Sequence, residues 1–153
     1  MMQHKILGRI KRGKDGESVA TVVYDSHKIK IRIRPDDEPF ETTVRLAEDV
    51  VKRLKKLDAA AKRIIESELR ETYNTGWSSY DEVQKDGSLK TIRNPKLSAT
   101  AFKKKFSLKE VNVSGSKSVD FYYDDSGLFS GHYVIVGSSN GTDFSDAYAE
   151  MWG

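Results

Sequence analysis

Between residues 27 and 34 the chain alternates strictly, with Ile29, Ile31 and Ile33 on one side and Lys28, Lys30, Arg32 and Arg34 on the other. A period of two places a strand with one face in a core and the other in water. Residues 5–11 and 18–24 also read as strands, the second rich in β-branched side chains, with turns at 14–17 and 24–27. Pro35 and Pro39, with three acidic residues between them, stop the sheet because proline lacks the amide donor that a ladder needs. From residue 44 to 73 the apolar spacing becomes helical: Leu46, Val50, Leu54, Leu57, Ala61, Ile64, Ile65 and Leu69 recur every three or four positions. Asp58 is of a type that caps helices, so the block reads as one long helix or two meeting near Leu57 and Asp58.

Asn74-Thr75-Gly76 ends the helical block. Residues 77–97 have weak periodicity and read as mostly irregular with a short helical turn, punctuated by Asp86-Gly87 and Asn94-Pro95. A short helix is expected over 98–106, capped by Ser98 and burying Ala101, Phe102 and Phe106. Four more strands follow at 108–113, 118–123, 131–137 and 144–152, separated by Gly- and Asn-containing turns that tolerate positive φ. This order predicts a single α+β domain over residues 1–153, an antiparallel sheet built from amino-terminal and carboxy-terminal strands with the helices packed on one face.

Composition narrows the chemistry. The 153 residues include no cysteine, which excludes disulfides, thiol nucleophiles and cysteine-ligated metals. Apolar runs are only a few residues long and no signal-peptide hydrophobic region follows Met1, so the sequence predicts a cytoplasmic protein with no membrane attachment. The net charge of +3 hides an asymmetry. Residues 118–153 hold six carboxylates and no Lys or Arg, leaving 26 bases against the remaining 17 acids, a net +9, for residues 1–117. Either the two parts neutralise each other internally, or each projects its own field toward a charged partner.

Three histidines are available for acid–base work, and His132 is the one with aspartates nearby in sequence, Asp124 and Asp125. An enzyme built around His132 would need one of them to reach its ring; otherwise His132 is a strand-start histidine satisfied by backbone. No calcium-loop spacing, helical His pair, nucleotide loop or serine elbow is present, so neither a metal nor a cofactor is expected. The cationic row Lys28, Lys30, Arg32, Arg34 resembles a phosphate-tracking surface but lacks interleaved aromatics for base stacking. On the helical block, Glu48 with Lys52, Asp49 with Arg53 and Asp58 with Lys62 stand at acid-to-base i, i+4 spacing, which predicts a salt-bridged helix surface. Aromatics cluster late, and because Phe121 and Tyr123 share one strand face, Tyr122 falls on the other, beside Asp120, Asp124 and Asp125. An acidic, aromatic surface of this kind suits a protein partner with a basic site.

The run from Phe121 through His132 to Val136, a following Asn-Gly turn, the pattern Ala147-x-Ala149-x-x-x-Gly153, the earlier Tyr73-Asn74-x-x-Trp77 and the join from Phe102 to Leu108 together resemble the bacterial domain of unknown function 2262 family. The resemblance implies neither an activity nor catalytic residues, and related small domains resemble immunity proteins that block a toxin made by a neighbouring gene. Sequence and resemblance together predict a non-catalytic protein-binding domain, in its sharpest form a toxin-immunity factor, with Tyr122, Asp124, Asp125 and His132 as partner-binding candidates. The alternatives are a nucleic-acid binder using Lys28, Lys30, Arg32 and Arg34, and an enzyme around His132.

Overall fold

In a computed structural model describing residues 2–152, the chain opens with a tight hairpin of β1 (Met2–His4) and β2 (Gly8–Arg12) and continues into β3 (Ser18–Tyr24) and β4 (His27–Arg34). Gly153, the last position of the carboxy-terminal pattern, lies outside the described residues. A single strand over 5–11 is not what forms. The His4 imidazole Nδ1 accepts hydrogen bonds from the amides of Ile6 and Leu7, and Gly8 takes φ +70°, so the chain turns back on itself there and buries Leu7. The strands at 18–24 and 27–34 form as predicted, the first from its β-branched side chains and the second from its alternation.

The helical block is two helices, α1 (Phe40–Lys52) and α2 (Leu54–Thr72). They meet at Arg53, whose φ of −109° and ψ of 16° leave the helical region, not at Leu57 and Asp58. Asp58 is therefore no cap: it sits within α2, buried on its core side. The expected ion pairs do form, Lys52 with Glu48 at 3.0 Å, Arg53 with Asp49 at 3.2 Å and Lys62 with Asp58 at 3.3 Å. A wider π-type turn, Tyr73–Trp77, extends α2.

Residues 77–97 depart most from expectation. They hold a β-hairpin, β5 (Ser79–Val83) with β6 (Leu89–Arg93), turned at Gly87, which has φ +84°. It stands apart from the main sheet and nearly every residue in it is exposed. A strand pair with no buried face leaves no alternation of apolar and polar residues to read. A short helix α3 (Ala99–Lys103) forms within the predicted 98–106, with Ser98 Oγ accepting from the Ala101 amide at 3.2 Å; Phe102 and Phe106 are buried, while Ala101 is half-buried.

The last strands are β7 (Ser107–Ser114), β8 (Ser118–Asp124), β9 (Tyr133–Ser138) and β10 (Tyr148–Trp152). Together with the first four they make one eight-stranded sheet in the order β1-β2-β3-β4-β7-β8-β9-β10. Only the central pair, β4 with β7, is parallel; every other neighbour is antiparallel. The fold is α+β, with strands from both ends of the chain joined in the middle of one sheet.

The register puts Ala20, Ile31, Val111, Phe121 and Val136 in one row on a single face, and all five are buried. Helices cover that face: α1 buries Val44, Ala47 and Val50, and α2 buries Leu57, Ala61 and Ile65. Asp58 pins α2 to the sheet, its carboxylate accepting from the Tyr24 hydroxyl at 2.7 Å and the Tyr123 hydroxyl at 2.6 Å. Both phenols are held above their ordinary pKa, first by burial and then by that carboxylate. The Thr43 hydroxyl fastens α1 by donating to the Gly115 carbonyl at 2.7 Å. No helix among the described residues is long and apolar enough to cross a membrane.

Candidate functional site: the open face of the sheet

Among the described residues the other face of the same sheet carries no helix, and its rows show what is exposed there. One row runs Lys30, Glu110, Tyr122, Ile135, Glu150 and the next Arg32, Asn112, Asp120, Gly137, Tyr148, from the basic side of the sheet to the acidic one. Tyr133 and Trp152 pair across the far edge. The strand alternation of β4 and of β8 through β10 thus delivers cations and acidic aromatics to opposite sides of β7 on a single surface.

The two ends differ in how their charges are met. Arg32 bridges Glu17 and Glu110, and Arg34 also reaches Glu17. The guanidinium of Arg32 is correspondingly held above its ordinary pKa, and the carboxyl of Glu17 below its own, by these hydrogen bonds. Lys28 and Lys30 are exposed and, among the described residues, form no ion pair. Every ion pair among the described residues joins partners within residues 1–117, and none reaches a carboxylate of 118–153. At ion-pair distance the two parts do not neutralise each other among the described residues.

At the acidic end a recess of about 300 Å³ is lined by Asp120, Tyr122, Tyr133, Ile135, Glu150 and Trp152. Asp120 lies half-buried over Gly137, and a Cβ at position 137 would stand 2.8 Å from its Oδ1, so glycine is what gives the carboxylate room. Burial first, and the charge of Glu150 second, push the Asp120 pKa above the ordinary aspartate value. Trp152 Nε1 donates to Glu150 Oε2 at 2.9 Å and holds that carboxylate at the rim. Tyr133, Tyr148 and Trp152 are 61%, 54% and 56% exposed, an unusual density of open aromatic surface for one sheet edge. A second recess of about 440 Å³ shares Tyr122 and Tyr133 and includes Asp124. Aromatic walls around unpaired carboxylates can seat a lysine or arginine side chain by charge and by cation–π attraction.

The structure separates the predicted partner-binding residues. Tyr122 and Asp124 lie on this face, half-buried and exposed. Asp125 does not: it is 3% exposed and accepts from the amides of Gly127 at 2.9 Å and Phe129 at 2.8 Å, closing the loop after β8. A carboxylate at a loop start gathers backbone donors more readily than it waits for a partner. His132 is half-buried as well; its Nδ1 donates to the Phe129 carbonyl at 2.6 Å and its ring stands edge-on to Trp77 at 5.5 Å. Neither Asp124 nor Asp125 pairs with it, since His4, beside Glu48, is the one histidine among the described residues with a carboxylate in ion-pair reach. The aspartate-supported acid–base arrangement around His132 does not form.

Trp77, Phe129, Tyr73 and Phe102 continue from His132 as a chain of packed rings. The residues behind the resemblance therefore include a structural cluster joining α2, α3 and the loop before β9. Among the described residues no group of three or more His, Asp or Glu side chains is arranged to hold a metal ion. Glu150, Tyr133 and Trp152 as neighbours of Tyr122 were not legible in the sequence. Their signal was the acidic, aromatic composition of residues 118–153, which lacks the register that brings them together.

A family model described as an uncharacterised protein conserved in bacteria, DUF2262, matches residues 5–148. No curated protein matches the chain, and no solved structure does.

Proposed function

The chain belongs to the DUF2262 family of uncharacterised bacterial proteins, and we propose that it acts without catalysis, by binding a protein through the acidic, aromatic end of its open sheet face. The observation that carries this reading is the unmatched charge: no carboxylate of residues 118–153 forms an ion pair among the described residues, while half-open tyrosines and a tryptophan stand beside Asp120, Asp124 and Glu150. Aromatic anchors beside desolvated charges are the chemistry of binding hot spots, and they select a partner with exposed Lys or Arg. In its sharpest form the partner is a toxin encoded next to this gene and the protein is its immunity factor.

Co-expression with each adjacent open reading frame tests that form. A neighbour that halts growth alone and is tolerated when this protein is present supports it, and Asp124→Lys with Tyr122→Ala should abolish the protection while the variant stays folded. If no neighbour is toxic, the immunity form is wrong. If protection survives the double substitution, the assignment of the face is wrong.

A further inference from the structure

The cationic surface that this end of the sheet selects is present on the same face of the same chain. A surface basic on one side of a central strand and acidic on the other is self-complementary under a twofold axis lying parallel to that strand, because the rotation reverses strand order while keeping each residue at its own height along the strand. With the axis over β7, the central strand of the seven from β2 to β10, β4 of one copy faces β8 of the other, and β2 faces β10. The registers then bring Lys30 opposite Tyr122 and Arg32 opposite Asp120, and Lys28 and Asp124, each one open-face position further along its strand in the same direction, fall near each other beyond the bulge between Leu108 and Glu110. At the edge, Lys11 of β2 comes opposite Tyr148 of β10. The opposite orientation, with the axis across the strands, would set cations on cations.

We propose that two copies of this chain pair face to face through the open sheet, the basic end of each seated on the acidic, aromatic end of the other. This rests on the reading of the face as a protein-docking surface and names the partner that the chain itself supplies. The area is adequate. At a strand spacing of about 4.8 Å and about five residues of 3.3 Å, the seven-stranded face from β2 to β10 measures about 550 Å². Two such faces bury about 1,100 Å², above the roughly 1,000 Å² that a specific interface needs. The surface is charged rather than oily, so the dimer is sensitive to salt. Two right-twisted sheets stacked this way keep their strands within about 30° of alignment, so facing rows stay in reach near the axis.

Sedimentation equilibrium of the full chain across micromolar concentrations, at low and high salt, reads the association. A dimer at low salt that loosens as salt rises is expected. Lys28→Glu with Lys30→Glu in one variant, and Asp124→Lys with Glu150→Lys in another, should each weaken self-association about tenfold or more by setting like charges opposite each other. Mixing the two variants should restore it, since both halves of the mixed interface are again opposite in sign. All four side chains are at the surface, and circular dichroism confirms that each variant is folded. A monomer at every concentration overturns the proposal, as does a dimer indifferent to both variants or a mixture no tighter than its components. A monomer that still binds a toxic neighbour through Asp124 and Tyr122 removes the second copy and leaves the docking face standing.

Discussion

Two aspartates on opposite faces of one sheet receive opposite treatment. Asp58, on the helix-covered face, is 5% exposed and fully answered: two tyrosine hydroxyls and Lys62 surround it. Asp120, on the open face, is half-buried with Glu150 for a neighbour, no cation paired to it among the described residues and a pKa pushed up as a result. Nearby on the same face, Asn112 Oδ1 is buried with no hydrogen-bond partner among the described residues. Burying a carboxylate is costly unless hydrogen bonds and charge answer it. The covered face has met that cost inside the chain and the open face has not, which is why the open face is where a partner gains most.

Removing the answered charge should hurt most. Asp58→Ala leaves the Tyr123 hydroxyl buried without an acceptor and frees α2 from the sheet, and a loss of about 3 kcal/mol is expected from urea unfolding. A neutral result would mean that the covered face tolerates unanswered polar groups as well, and the contrast would fail. Tyr123→Phe removes one hydrogen bond to that carboxylate and should cost about 2 kcal/mol. The raised pKa of Tyr123 has a sign that can be checked. Because the fold favours the neutral phenol, its contribution is whole below the ordinary tyrosine pKa of about 10 and is lost as pH climbs above it. Tyr123→Phe should therefore flatten the alkaline fall in stability.

On the open face the effects are smaller, and one changes sign. Gly137→Ala forces the Asp120 carboxylate aside and should cost about 1 kcal/mol, a cost that disappears when Asp120→Ala is combined with it. Asp120→Asn should stabilise. A carboxyl whose folded pKa is raised loses stability as pH rises from its ordinary value through the raised one, so at neutral pH the amide removes a penalty. A rise in Tm of about 2 °C is expected, shrinking to nothing at acid pH. A fall in Tm instead would make Asp120 a structural residue like Asp58. Asp124→Lys should move stability least, within about 0.5 kcal/mol, because the side chain is exposed and forms no ion pair among the described residues, while its effect on binding is large.

Much of the architecture was legible along the chain. The isoleucine alternation of 27–34, the helical spacing of 44–73 and the Gly- and Asn-rich turns of the last third specify local burial, and local burial writes a period into the sequence. The acidic, aromatic character of residues 118–153 and the place of Tyr122 opposite Phe121 and Tyr123 were legible for the same reason. The hairpin 79–93 was not, because an exposed strand pair has no buried side to mark it. Nor could local pattern show that Asp125 turns inward to bind its own loop, that His132 packs on Trp77, or that Asp58 belongs to the core. Each depends on where a distant segment arrives. The parallel join of β4 to β7 is the clearest case: it brings a basic strand and an acidic hairpin, about 80 residues apart, onto one surface. Periodicity sets which side of a strand faces water, and long-range register alone sets which charges meet there.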